Sequence, residues 1–143
     1  MQLVNALCGG TLYQHIPEDV PRALHHRDPV EQNLRHVLEI VPGTRLDANL
    51  RPRRSSCEQC SSHGRARILS SRFRVSAICP DGVIEAYESI EDDWFCLGVQ
   101  WHPESSTASA LDLQIFEAFI DAAIKEAAPA DVIPMNDMFR RAA

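Results

Sequence analysis

A chain of 143 residues, 45% hydrophobic and 24% charged, is long enough for one domain with its own core and has an ordinary globular composition. Its net charge of -6 argues against general nucleic-acid binding, which needs a chain-wide surplus of Lys and Arg to displace phosphate counterions. No apolar run approaches the ~20 residues that span a bilayer, and the first residues lack the charged, apolar and small succession of a secretory signal, so a cytoplasmic protein without membrane contact is expected.

Leu3, Val4 and Leu7 share one face of a short helix that Gly9-Gly10 stops, because glycine tolerates a left-handed helix end. Cys8, at the end of that helix, reads as a small core residue, as do Cys79 and Cys96 in their apolar surroundings. Five cysteines at irregular spacings form no disulfide framework and are expected as reduced thiols. Thr11 to Ile16 is compatible with a short strand or an extended segment. Pro17 to Gln32 reads as a loop, and although His25-His26 beside Asp28 could suggest a metal, no second ligand cluster has convincing spacing, so a solvated loop is the expectation.

His36 to Val41 alternates polar and apolar before the turn Pro42-Gly43, which predicts a half-buried strand. Arg51 to Arg74 then carries seven of the chain's fourteen Lys and Arg residues against one acid, Glu58. Cys57-Glu58-Gln59-Cys60 with His63 has the spacing of half a zinc knuckle, but no second pair lies in range, and without an aromatic before Phe73 the basic stretch has nothing to stack on bases. A solvated or disordered loop is the expectation there.

Val75 to Cys79 and Val83 to Tyr87 are strand-like runs joined by the turn Pro80-Asp81-Gly82, so a hairpin is predicted, with Asp81-Gly82 owed to the turn and Glu85 and Glu88 on the solvent face. Glu91-Asp92-Asp93 is an acidic turn into a buried strand from Trp94 to Val99, which Pro103 ends at His102. Two residues on, Glu104 can turn back on the imidazole, where a carboxylate fixes the tautomer and stabilises the imidazolium. His102 and Glu104 thus read as a general base and its orienter, which normally activate a Ser or Cys. Ser105-Ser106-Thr107 offer helix caps, and Leu111, Ile115, Phe116, Phe119, Ile120, Ala123 and Ile124 recur at helical spacing, predicting an amphipathic helix laid on a sheet and ending before Pro129. Residues 129–143 form a loose tail.

Gly98-Val99-Gln100-Trp101-His102-Pro103-Glu104 closely resembles the His and Glu segment of class I glutamine amidotransferases, in the branch that includes gamma-glutamyl-gamma-aminobutyrate hydrolase. Met1 to Gln14 resembles the helix that follows the family's nucleophile turn, G-x-C-x-G. His36 to Leu46 is similar to its H-x-V-x-(I/V)-x-P-G-S-x-L, and Pro80 to Ala86 to its P-D-G-x-(I/V)-E-A. In place of the family's V-N-S-x-H-H-Q-A, Gln59 to Ala66 keeps Ser61, His63 and Ala66 and lacks the second His and the Gln. An island bounded by good matches is what a local reading-frame shift would leave.

The resemblance implies an α/β fold, the C-terminal part of a flavodoxin-like domain with a mixed sheet and flanking helices. It covers residues 1–128, with 51–72 a divergent basic loop. It also implies a Cys thioester mechanism on glutamine or a gamma-glutamyl amide, with catalytic roles for His102 and Glu104, a pocket-floor role for Gln2, and no cofactor or metal. The chain begins just after the expected Cys, so a truncated form, inactive alone and exposing apolar surface and an open strand edge, is expected. The alternatives are a non-catalytic module that docks to the missing half or to a second copy, and a small zinc-dependent nucleic-acid binder.

Overall fold

The computed structural model describes residues 1–26, 35–49, 56–58, 65–104 and 110–127. The helices are α1 (Gln2–Leu7), α2 (Ile16–Asp19), α3 (Arg45–Asn49) and α4 (Ala110–Glu126), and the strands are β1 (Thr11–Leu12), β2 (Arg35–Val37), β3 (Glu39–Ile40), β4 (Ser56–Glu58), β5 (Ala66–Ile68), β6 (Phe73–Ile78), β7 (Ile84–Ser89) and β8 (Leu97–Val99). This is the α/β architecture expected. Four strands form the main sheet in the order β3-β6-β7-β8, and two small ribbons pair β1 with β5 and β2 with β4; every described pair is antiparallel. Among the described residues no helix is long and apolar enough to cross a membrane.

The predicted hairpin is the centre of this sheet. Asp81 accepts the Val83 amide on its side chain at 3.2 Å, closing the turn, while the Cys79 amide donates to the Val83 carbonyl at 2.9 Å. From Glu85 to Ser89 every residue of β7 is buried, so both faces of the strand are covered. The expectation that Glu85 and Glu88 face solvent is therefore overturned, because elements distant in sequence close over both faces and bring donors to both carboxylates.

On one face Leu38, Ile40, Leu46, Ala77, Ala86 and Ile115 join Ile16, Val20, Val83 and Trp101 in the core. Each fully buried aliphatic side chain here contributes on the order of 1.5–3 kcal/mol. The carboxylate of Glu88 reaches the start of α3, accepting the amides of Arg45 at 2.8 Å and Leu46 at 3.2 Å, and so satisfies helix donors that have no partner within the helix. Thr44 adds a cap from the chain itself, accepting the Asp47 amide at 3.1 Å.

Helix α1 docks differently from its expected apolar face. Leu3 and Leu7 are 70% and 77% exposed, and the fully buried residue is Asn5. Its amide nitrogen donates to the carbonyls of Thr11 and Ile68 at 3.2 Å each, and its oxygen accepts the Ser70 amide at 2.9 Å. Gly10 permits this approach: a Cβ there would lie 2.2 Å from the Asn5 oxygen. Polar bonds to strand backbone hold the helix, which leaves its leucines outward.

Helix α4 forms where its periodicity predicts, and the indole of Trp101 donates to Asp112 at 3.1 Å to anchor its first turns. Ile115 and Ala118 are buried, whereas Leu113, Phe116, Phe119, Ile120 and Ile124 are exposed. The helix thus turns only a narrow side inward, and the expected wide apolar face is largely uncovered. The helix caps expected at 105–107 and the tail from residue 129 lie outside the described residues, as does most of the stretch from 51 to 64.

Candidate functional site

Strand β8 ends at Val99, and Gln100, Trp101 and Pro103 are buried around the partly exposed His102. The Gln100 amide donates to the Glu85 carbonyl at 2.8 Å, which fixes the chain just before the histidine. The imidazole Nδ1 of His102 lies 2.7 Å from Glu104 Oε1, so the two residues meet as their spacing predicts. With the Nδ1 proton shared with the carboxylate, Nε2 is the basic atom of the ring. The hydrogen bond from His102 holds the Glu104 carboxyl below its usual range, so it is ionised and can carry a positive ring.

The start of the chain comes to the same strand end. Gln2 Nε2 donates to Gln100 Oε1 at 2.8 Å, and the Tyr87 hydroxyl donates to the Met1 carbonyl at 2.6 Å. Burial pushes the Tyr87 hydroxyl up to about 12, so it remains a proton donor at neutral pH. Gly98, opposite Tyr87 in the register, makes room for the ring: a Cβ there would stand 2.8 Å from it. The first residue of α1 therefore sits one hydrogen bond away from Gln100, two residues before His102.

A second polar cluster lies under the hairpin. His26 is buried, not part of a solvated loop, with Nε2 at 2.6 Å from Asp81 and Nδ1 at 3.4 Å from Glu85. Arg65, fully buried, places Nη1 3.0 Å from Glu85 Oε1. Burial opposes a charge on His26, but hydrogen bonds to Glu85 and Asp81 outweigh it and raise the ring above its ordinary value. Burial likewise pushes Asp81 up, and the Leu24 amide and the His26 ring overcome it, leaving that carboxyl below its ordinary value.

His26, Cys79 and Glu85 each offer a ligand atom within 4.8 Å of the others. The Arg65 guanidinium, pressed against the Glu85 carboxylate, brings a fixed positive charge to the place a metal ion would take, which disfavours one. The zinc ligands considered from sequence are not brought into view: Cys60 and His63 lie outside the described residues, as does the side chain of Cys57.

Sequence reasoning missed Asn5, Arg65 and the burial of His26. The available signal was chemical: an Asn between apolar residues on a short helix, and an Arg directly before a strand, are costly there unless partnered.

Residues 1–104 match the peptidase C26 family. The chain is 42% identical over 122 residues to gamma-glutamyl-gamma-aminobutyrate hydrolase PuuD of Escherichia coli (strain K12), covering 80% of this chain and 47% of that protein. It is 38% identical over 122 residues to a protein of Mycobacterium tuberculosis (strain ATCC 25618 / H37Rv) named as a glutamine amidotransferase, covering 85% of this chain and 37% of that one. It is also 33% identical over 95 residues to CTP synthase of Gluconobacter oxydans (strain 621H), covering 62% of this chain and 17% of that enzyme. The chain spans about half the length or less of these relatives.

Proposed function

The chain belongs to the peptidase C26 family of class I glutamine amidotransferase-like proteins, and from that premise we propose that it supplies the histidine and carboxylate half of a Cys-His-Glu site that hydrolyses gamma-glutamyl amides or glutamine. The observation that carries this reading is the 2.7 Å contact of His102 with Glu104, set beside the opening turn of α1 by the Gln2 to Gln100 bond. In such a site the ring Nε2 takes the proton of a Cys thiol, and the thiolate attacks the amide carbonyl. The ring then returns the proton to the departing amine, leaving a thioester that water hydrolyses with the same ring as base. Glu104 holds the imidazolium that forms at each transfer.

None of the five cysteines stands in a G-x-C-x-G turn. Cys8 follows α1 and does not precede it, so it cannot use the positive end of that helix as an activated thiol would. The 143 residues on their own are thus read as inactive, with activity arising when a Cys-bearing segment precedes Met1 in the polypeptide or is supplied in trans. A reducing, cytoplasmic setting suits both that thiol and the thiols of Cys8, Cys79 and Cys96, which form no disulfide.

The test compares the 143-residue chain alone, the chain joined to or mixed with the preceding half of a family member, and the latter with His102→Gln. Release of amine from gamma-glutamyl-gamma-aminobutyrate or glutamine only in the completed pair, abolished by the substitution, supports the reading. Turnover by the chain alone, or turnover indifferent to residue 102, sinks it.

A second reading rests on the exposed apolar side chains Leu3, Leu7, Phe119, Ile120 and Ile124. Such surface suits a non-catalytic module that docks to the other half or to a second copy of the chain. A completed pair that associates without turning over favours this second reading.

A further inference from the structure

Beneath the β6–β7 hairpin four ionisable side chains are gathered in the interior, and they come from separate parts of the chain. Asp81 sits in the turn, Glu85 on β7, Arg65 just before β5, and His26 in the segment that follows α2. Among the described residues Cys79, directly after β6, also faces the ring, while the neighbouring His25 is exposed. We propose that His26 is a pH-sensitive clasp, an imidazolium that fastens the segment from Val20 to His26 onto the hairpin and releases it on losing its proton.

The geometry carries this. Each ring nitrogen faces a carboxylate oxygen, Nε2 toward Asp81 at 2.6 Å and Nδ1 toward Glu85 at 3.4 Å. Nε2 shares a hydrogen bond with Asp81, and Nδ1 lies at ion-pair distance from Glu85 Oε1, so a protonated ring is attracted by a carboxylate on each side, whereas a neutral ring leaves the second anion without that charge. The charges agree. Among the described residues, Arg65 offsets one of the two carboxylates and the ring proton offsets the other, so these four side chains sum to zero with the proton and to one negative charge without it.

The proton also gates backbone. Asp81 Oδ2, the oxygen that receives the ring, accepts the Leu24 amide at 2.8 Å, so one carboxylate holds both side chain and main chain of the segment. Burial and the repulsion from Arg65 oppose the charge, the attraction of the Glu85 and Asp81 carboxylates outweighs them, and the ring value is raised. Because the folded value lies above the ordinary histidine value of about 6.5, the stabilisation is complete below that pH and is lost as pH rises through the raised value. The clasp is closed below the ordinary histidine value, as long as Asp81 stays ionised, and opens as pH rises through the raised one. Glu85 also accepts the Gln100 amide on its carbonyl, so the clasp backs the strand end that leads to His102. The inference holds whichever reaction that end performs.

The experiment is an NMR titration of the His26 ring in the full 143-residue chain, with amide exchange at Leu24, for the parent protein, Arg65→Gln and Asp81→Asn. The ring is expected to titrate above the ordinary value, to move higher in Arg65→Gln and lower in Asp81→Asn. Exchange at Leu24, corrected for its intrinsic base catalysis, should rise at least about three-fold as the ring deprotonates. A ring titrating below the ordinary value, both variants moving it the same way, or Leu24 protection that stays flat through the titration overturns the clasp. So does binding of one equivalent of zinc that depends on His26 and Cys79, which would put a metal where the proton belongs. Should either variant fail to fold, His26→Asn serves: the parent must lose stability relative to it as pH rises, and parallel curves overturn the proposal.

Discussion

The hydroxyl of Tyr87 and the carbonyl of Met1 are 2.6 Å apart, and that bond joins β7, the second strand of the hairpin, to the first residue of the chain. Whatever precedes Met1 in a longer polypeptide would leave from beside β7 and β8, next to the strand end that carries His102. Tyr87→Phe removes the donor and keeps the ring packed on Phe73, 4.5 Å away between centroids. The expected loss is about 1 kcal/mol, read by urea denaturation, with faster proteolysis of α1 than of α4.

Gly98→Ala should cost more than its single methyl suggests. The added Cβ would stand 2.8 Å from the Tyr87 ring, which is packed against Phe73 and tied to Met1 and so has little freedom to move. A loss of about 1–3 kcal/mol is expected from overpacking, measured as a fall in denaturation midpoint at unchanged slope.

Asn5→Leu tests what holds α1. A reading based on apolar packing makes the change neutral or stabilising. The three hydrogen bonds of Asn5 to strand and loop backbone make it destabilising by about 2–4 kcal/mol, since buried carbonyls and an amide would lose their partner. Denaturation of the variant decides between them.

Glu88→Gln keeps the shape of the α3 cap and removes its charge. The Arg45 and Leu46 amides and the Arg74 guanidinium, 2.6 Å away, lose a charged acceptor, so a loss of about 1–3 kcal/mol is expected. Glu88→Ala should cost more, because the helix start is then left without an acceptor from β7. Equal stability of the two variants would show that the cap does not matter.

Glu104→Gln bears on chemistry and not on folding, because the side chain is exposed. In a completed enzyme kcat should fall roughly 10²–10⁴-fold while the melting temperature stays unchanged. The carboxyl is held low by its bond to His102, so the pair stays intact as pH drops through the ordinary glutamate range and breaks only below the depressed value. A rate profile that falls with Glu104 titrating in its ordinary range would contradict the assignment.

Some of this was legible in local sequence because the relevant forces act over a few residues. Pro80-Asp81-Gly82 specifies a turn by backbone sterics and an Asp side chain that bonds two residues on, and the hairpin followed. Glu104 stands within reach of His102 as the spacing predicts, although the expected buried strand from Trp94 is reduced to the half-buried Leu97–Val99 and ends four residues before Pro103, and α4 formed at the period of its apolar residues. Resemblance to a family added the kinship, and with it the roles proposed for those two residues.

Periodicity identifies a face but not what comes to cover it. Glu85 and Glu88, three residues apart on β7, stand on opposite faces of the strand, yet Arg65, twenty residues before Glu85, and the start of α3, more than forty residues before Glu88, bury both by supplying donors. His26 became an interior group because Asp81, fifty-five residues later, waits beneath it, and α1 turned its leucines outward because Asn5 found acceptors sixty-three residues away. A buried polar group is stable only with its partner in place, and only the folded chain fixes which partner arrives.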